Sequence, residues 1–331
     1  MTDLLLSPLA ALYSGVMTVR NRLYDRAWIR PVRAYCPVIS VGNLTMGGTG
    51  KTPLVSLIAG ALEARRLNVL ILSRGYGARV RGVLRVDPTA ADAPARFGDE
   101  PVLLARRHRS VFVTRNRSRE APGLSKRERP DVMVLDDGFQ HRALARDLDI
   151  VAIDASRGAA DLRVVPLGRG RETAGSLGRA SLVILTKTNL ASPADVAAIQ
   201  ELIPNGVPVI EAEYALEAAV TSDGRESRPV SGLGPLTAAA AIANPKSFES
   251  LLKQAGADVK ALLPFPDHHR FTETDLARLA AAAAGGTKLI VTEKDAVKLG
   301  GLKSPYWVAR LALKLTKNKE ALDESLDRVL R

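Results

Sequence analysis

The run Val38-Ile39-Ser40-Val41 leads into Gly42-Asn43-Leu44-Thr45-Met46-Gly47-Gly48-Thr49-Gly50-Lys51-Thr52-Pro53, and a helical pattern follows through Arg66. A buried strand, a glycine-rich turn and a helix in that order form a cradle for phosphate. The glycines let backbone N–H groups curl around the oxygens, and the helix N-terminus adds its dipole. In such a cradle Lys51 reaches the β- and γ-phosphates and the Thr52 hydroxyl ligates Mg²⁺, so a nucleoside triphosphate is the expected phosphate donor. Thr45 stands where the usual pattern has its first glycine. A glycine turn without a ligand is the alternative, disfavoured by Gly-Lys-Thr between a strand and a helix.

From residue 37 onward, apolar β-branched runs alternate with helical patterns. This predicts an α/β fold of the P-loop NTPase type, a parallel sheet with helices on both faces. Strands are expected at residues 38–41, 68–72, 111–114, 132–135, 150–153, 182–185 and 207–211. Most end at Gly, Asp, Thr or Ser, where open α/β sheets place their ligands. The polar, Gly/Pro-rich stretch near 222–235 reads as a linker to a second, smaller α/β unit. That unit is expected to have strands near 238–243 and 288–292, helices from Pro245 and over 273–283, and a closing amphipathic helix over 311–330. The expected division is an N-terminal helix within 1–30, a kinase-like domain over 31–221, a linker over 222–236 and the smaller domain over 237–331.

A second motif has matching geometry. Val132-Met133-Val134-Leu135 is an apolar strand that delivers Asp136 and Asp137 to its carboxyl end, a Walker B arrangement suited to the metal between the β- and γ-phosphates. Alone, such a pair is more often a turn or a helix cap; paired with the glycine loop, metal binding becomes the better reading. Thr186-Lys187-Thr188-Asn189 imitates a guanine-reading element but lacks its Asp, and Met46 stands where partitioning ATPases carry a lysine. Neither class is favoured.

Lys and Arg number 47 against 35 Asp and Glu, a net charge of +12, which points to a polyanionic partner. Its location is suggested by the first thirty-odd residues. Leu5, Leu9, Leu12, Val16, Val19 and Leu23 form one apolar helical stripe, followed by Arg20, Arg22, Arg26, Arg30 and Arg33 with Tyr13, Tyr24, Trp28 and Tyr35 among them. The charge-free run is shorter than the roughly 20 residues that span a bilayer, and the basic residues follow it rather than precede it, so neither a transmembrane helix nor a signal peptide fits. The composition is that of a helix lying in an anionic headgroup layer; packing on its own domain is the alternative. A single cysteine, Cys36, excludes an intrachain disulfide. Aromatic residues are only 4% and no helix-turn-helix or zinc pattern occurs, so a nucleic-acid partner is not expected.

Several phrases together resemble the tetraacyldisaccharide 4'-kinases, the lipid A 4'-kinases of Gram-negative bacteria. They are the glycine loop itself, Ser73-Arg74-Gly75-Tyr76-Gly77, Gly98-Asp99-Glu100-Pro101, Asp136-Asp137-Gly138-Phe139-Gln140-His141, Phe265-Pro266-Asp267-His268-His269 and Thr292-Glu293-Lys294-Asp295. The resemblance covers nearly the whole chain. It implies an ATP- and Mg²⁺-dependent kinase acting on the 4'-hydroxyl of a tetraacyldisaccharide 1-phosphate, peripheral to the cytoplasmic face of the inner membrane, with no stable protein partner implied. Another P-loop ATPase or small-molecule kinase is the runner-up.

The resemblance also assigns roles. Asp99 is the implied base, with His268 orienting it, His269 as the alternative, and Lys51 on the transferring phosphate; from the residues alone Asp99 reads as a helix cap. Thr45, Met46, Gly47, Gly48, Thr49, Gly50, Lys51, Thr52 and Arg171 are implied to bind ATP. Asn43, Arg74, Tyr76, Glu100, Arg117, Gln140 and His141 are implied to line the acceptor site, and Thr52, Asp136, Asp137 and Glu172 to supply the metal ligands. One departure is visible: the family's Pro-x-Gly-x-Leu-Arg-Glu-Pro stretch has Gly170 in place of Leu and Thr173 in place of the last Pro.

Overall fold

The computed structural model of the chain describes residues 2–47, 50–78, 80–267 and 269–330. In chain order the elements are α1 (Thr2–Asp25), β1 (Val38–Asn43), α2 (Lys51–Ala64), β2 (Val69–Ser73), β3 (Val83–Arg85), α3 (Ala93–Phe97), α4 (Asp99–Ala105), β4 (Val111–Thr114), α5 (Arg117–Glu128), β5 (Val132–Asp136), β6 (Leu148–Asp154) and β7 (Leu182–Thr186). They continue with α6 (Pro193–Glu201), β8 (Val209–Thr221), β9 (Ser227–Arg228), β10 (Pro235–Ala240), α7 (Pro245–Gln254), β11 (Asp258–Pro264), α8 (Glu273–Ala284), β12 (Lys288–Thr292), α9 (Glu293–Ala296), β13 (Trp307–Lys317) and α10 (Glu320–Leu330).

All residues of β1, β2, β5, β6 and β7 are buried, as continuous apolar runs covered on both faces should be. One sheet runs through the molecule in the order β11-β10-β12-β13-β8-β7-β6-β1-β5-β2-β4-β3. β1 pairs in parallel with both β5 and β6, so the chain leaving β1 crosses over β5 to reach β2. The carboxyl ends of β1, β2 and β5 therefore open into the crevice where such sheets bind ligands.

The halves of the sheet join where β8 and β13 pair antiparallel, from Trp307 opposite Thr221 to Lys317 opposite Glu211. The expected strand near 207–211 thus extends to Thr221. The helix expected over 311–330 is corrected: residues 307–317 are strand and only 320–330 are helix. Leu311, Leu313 and Leu315 repeat with period two, with Ala312 and Lys314 between them, and a paired neighbour turns that alternation into a strand. α10 then returns to the first half and buries Leu322 and Leu326 in the same core as Leu54, Ile58 and Leu62 of α2. The polar stretch near 222–235 holds β9, folded back on β8, and a 3₁₀ turn at Val230–Gly232.

Along α1, the stripe residues Leu9, Leu12, Val16 and Val19 are 57%, 68%, 60% and 57% exposed, so packing on the protein does not explain them. Away from the stripe the helix is anchored: Tyr13 donates to the Arg171 carbonyl at 3.1 Å, Asn21 bonds Glu172, and Arg142 reaches the Asn21 carbonyl and Asp25. Trp28, Ile29, Val32 and Tyr35 extend the exposed apolar surface past the helix. Among the described residues no helix is long and apolar enough to cross a membrane.

Candidate active site

The glycine loop is held from behind. Asn43 Nδ2 donates to the Thr45 carbonyl at 2.6 Å, while Met46 N donates to the Arg169 carbonyl and Arg171 N to the Leu44 carbonyl, each at 2.8 Å. Gly170, the departure from the family pattern, sits where a Cβ would fall 2.6 Å from the Leu162 carbonyl oxygen, so the close backbone approach suits glycine. Gly50, just before α2, has φ 81°, and a Cβ there would fall 1.9 Å from Tyr214 Oη. Gly42 faces the Asp-Asp-Gly-Phe segment: a Cβ would lie 2.5 Å from Phe139 Cβ and 2.6 Å from its backbone nitrogen. Gly42→Ala is expected to cost about 1–3 kcal/mol by overpacking, measured as a lower midpoint in denaturant. An unchanged midpoint would show that the Phe139 backbone yields.

β5 delivers the two carboxylates into different surroundings. Asp136 is buried, accepts a hydrogen bond from Ser73 Oγ at 2.7 Å, and its Oδ1 has no hydrogen-bond partner among the described residues. Burial, with Glu100 adding to it, pushes this carboxyl up to about 6. Asp137 lies 3.4 Å from Lys51 Nζ and 3.1 Å from Arg171 Nη1. Burial would raise it, but Lys51, Arg171 and Arg117 outweigh that and lower it to about 2. A buried, unpaired Asp136 oxygen beside this ion cluster is a fitting ligand for Mg²⁺, which commonly takes one or two carboxylates and completes its shell with phosphate and water. Among the described residues no group of three or more His, Cys, Asp or Glu side chains could hold a metal unaided.

Asp99 and Glu100 open α4, and Gly98, not Asp99, occupies the N-cap. Asp99 Oδ2 is 3.7 Å from Lys298 Nζ, and Glu100 Oε1 is 3.8 Å from Lys294 Nζ, which also pairs with Asp267 at 3.1 Å. These cations come from the other half of the sheet, just beyond β12.

A cleft of about 590 Å³ brings together Met46, Gly47, Lys51, Arg74, Tyr76, Asp99, Glu100, Asp136, Asp137, Gln140 and Arg171. Several expected residues stand behind its wall. Arg117 is buried with its guanidinium on the Asp136 and Asp137 carbonyls, and burial pushes it down from its ordinary value. Asn43 and Thr45 are buried and brace the loop. Burial and the neighbouring Arg117, Arg146, Arg20 and Arg74 push His141 down to about 4, so it is neutral at pH 7. Glu172, expected among the metal ligands, is buried and paired through Oε2 with Arg179 at 3.0 Å and with Asn21, outside the cleft lining, which ties α1 to the segment after the glycine loop. His269 bonds Asp275 at 2.8 Å and stacks on Phe265, which commits its ring to the start of α8. Gly48, Thr49 and His268 lie outside the described residues.

The cleft also contains Tyr13 and Arg20 of α1, expected instead at the headgroup layer, together with Met17, Ser73, Asp267 and Lys294. Tyr13, Met17 and Arg20 each follow a stripe residue by one position and so line the flank of the stripe, a helical spacing present in the sequence but masked by the stronger apolar one. Thr52 lines a second, apolar pocket of about 160 Å³ with Gly50, Leu190, Tyr214, Ile242 and Phe248. Lys51, Glu100 and Lys294 border both spaces, so an elongated ligand lying across the glycine loop could place an apolar ring in one and charged groups in the other.

Residues 2–331 match the family model described as tetraacyldisaccharide-1-P 4'-kinase. The chain is 36% identical to the tetraacyldisaccharide 4'-kinase of Bdellovibrio bacteriovorus, over 98% of this chain and 99% of that one. It is 37% identical to that of Geobacter sulfurreducens, over 97% and 92%. The crystal structure of LpxK from Aquifex aeolicus in complex with ATP is similar over 100% of both chains, with 29% identity and a TM-score of 0.80.

Proposed function

The chain belongs to the tetraacyldisaccharide-1-P 4'-kinase family, and from that membership we propose that it transfers the γ-phosphoryl group of ATP to the 4'-hydroxyl of a tetraacyldisaccharide 1-phosphate. The product is the 4'-phosphorylated lipid A precursor, lipid IVA. The observation that carries this reading is the meeting of Lys51, the Asp136–Asp137 pair and the Asp99–Glu100 pair in one cleft whose outer wall is α1.

ATP would lie along the glycine loop with its triphosphate over Lys51 and its nucleoside toward the apolar pocket. Asp136, Asp137 and Thr52 would hold Mg²⁺, which supplies neutralisation of charge on the β- and γ-phosphate oxygens. Asp99 accepts the proton of the 4'-hydroxyl as that oxygen forms its bond to the γ-phosphorus and the bond to the ADP oxygen breaks. Lys51 and Arg171 balance the negative charge gathered on the transferring group. Arg74, with its planar fork of donors, suits the acceptor's own phosphate. His268 would orient Asp99. The test is γ-labelled ATP with tetraacyldisaccharide 1-phosphate in mixed micelles: label on the 4' position is the expected result. A folded protein that hydrolyses ATP, or labels only soluble acceptors, would refute the proposal.

The membrane surface belongs to the same reading. The exposed stripe of α1 would enter the acyl boundary while Arg22, Arg26, Arg30 and Arg33 meet anionic headgroups on the cytoplasmic face of the inner membrane. Leu9→Asp with Leu12→Asp is expected to release the protein from anionic vesicles, since a charge driven into the interface is costly. Equal co-sedimentation of the folded variant and parent would count against it.

A further inference from the structure

We infer that Lys298 is a positioning residue for the Asp99 carboxylate, held in place by a buried ion pair with Asp295; this rests on the reading of Asp99 as the base. Asp295 is 1% exposed, and its Oδ2 accepts hydrogen bonds from Thr292 Oγ1 at 2.7 Å and Ala241 N at 2.9 Å. Its backbone nitrogen donates to Thr292 Oγ1, which locks the residue to the ends of β10 and β12. Its Oδ1 faces Lys298 Nζ at 2.9 Å. The Lys298 side chain is only 7% exposed, its stem turned past Phe271 with Nζ 5.4 Å from that ring. The same Nζ lies 3.7 Å from Asp99 Oδ2.

A buried ammonium is stable only where carboxylates replace its water, and here two do so from different halves of the sheet. Asp295 is fixed by the backbone and therefore fixes the ammonium, which in turn restrains rotation of the Asp99 carboxylate. Lys294, four residues earlier, faces the neighbouring Glu100 in the same manner. Two lysines one helical turn apart thus meet two adjacent acids at the start of α4. The arrangement ties the orientation of Asp99 to the seating of the second half on the first. A misplaced proton acceptor lowers the rate of the chemical step without weakening ATP binding.

The experiment measures steady-state kinetics of the full chain with ATP and tetraacyldisaccharide 1-phosphate in mixed micelles, for Lys298→Met, Lys298→Arg, Asp99→Asn and the Lys298→Met/Asp99→Asn double variant. Lys298→Met is expected to lower kcat about 10-fold with KM for ATP changed less than about 2-fold, and Lys298→Arg to recover most of the loss. In the Asp99→Asn background the same substitution should change kcat by less than about 2-fold, because the two residues act as a unit. An equal fractional loss in both backgrounds, or full activity of folded Lys298→Met, overturns the inference alone. Retained turnover in Asp99→Asn overturns the reading of the base and this inference with it. If Lys298→Met does not fold, Lys298→Gln is read in the same way.

Discussion

Lys51→Ala should lower turnover by about 10³-fold while the protein still folds, because a preorganised cation on the transferring phosphoryl group is worth that much or more. Lys51 Nζ is held 3.4 Å from Asp137, at the mouth of both the polar cleft and the apolar pocket. The fold does not depend on it. α2 is anchored by Leu54, Val55, Ile58 and Leu62, all buried, and Asp137 keeps Arg171 and Arg117 when the ammonium is removed. Turnover at saturating ATP, together with a thermal melt, checks the expectation. Activity near that of the parent in a folded Lys51→Ala protein would remove the glycine loop from the chemistry.

Asp99→Asn is expected to be nearly as severe, with kcat lowered about 10²-fold or more and KM for ATP little changed, the loss typical of removing a general base. The amide keeps the volume of the side chain but replaces one acceptor oxygen with a donor and cannot take the acceptor proton at neutral pH. Because Gly98 fills the N-cap of α4, the substitution does not remove a helix cap, and Lys298 keeps its closer partner Asp295 at 2.9 Å, so any loss of stability comes from the longer 3.7 Å pair with Asp99. His268→Ala should be milder, and the double variant scarcely worse than Asp99→Asn if the histidine acts through Asp99. A nearly active Asp99→Asn protein would assign the proton to another group.

The local parts of the site could be read from sequence because each is built within a few residues. A strand, a glycine turn and a helix lie consecutively in residues 38–64, and a strand ending in two Asp lies in 132–137, so the backbone itself puts Lys51 and Asp136 at carboxyl ends of strands. The apolar face of α1 was equally plain from its spacing. Charge and motif alone, however, could not distinguish residues that reach the cleft from those that brace it. Arg117, His141 and Glu172 carry the right chemistry for the site, yet none of them lines the cleft: Arg117 donates to the Asp136 and Asp137 carbonyls, the half-buried His141 is pushed down by burial and neighbouring arginines, and Glu172 pairs with Arg179 and Asn21.

The sequence by itself therefore determined the class of sheet, the phosphate cradle, the acidic pair and the amphipathic helix, since all four follow from periodicity and nearest neighbours along the chain. Only the tertiary structure decided that residues 307–317 form a strand against β8, because an alternating segment adopts the period of whatever pairs with it. It alone placed Tyr13, Met17 and Arg20 in the wall of the cleft and Lys294 and Lys298 on Glu100 and Asp99. Those contacts join segments far apart in the chain, and their existence depends on how the two halves of one sheet pack across the crevice rather than on any local pattern of residues.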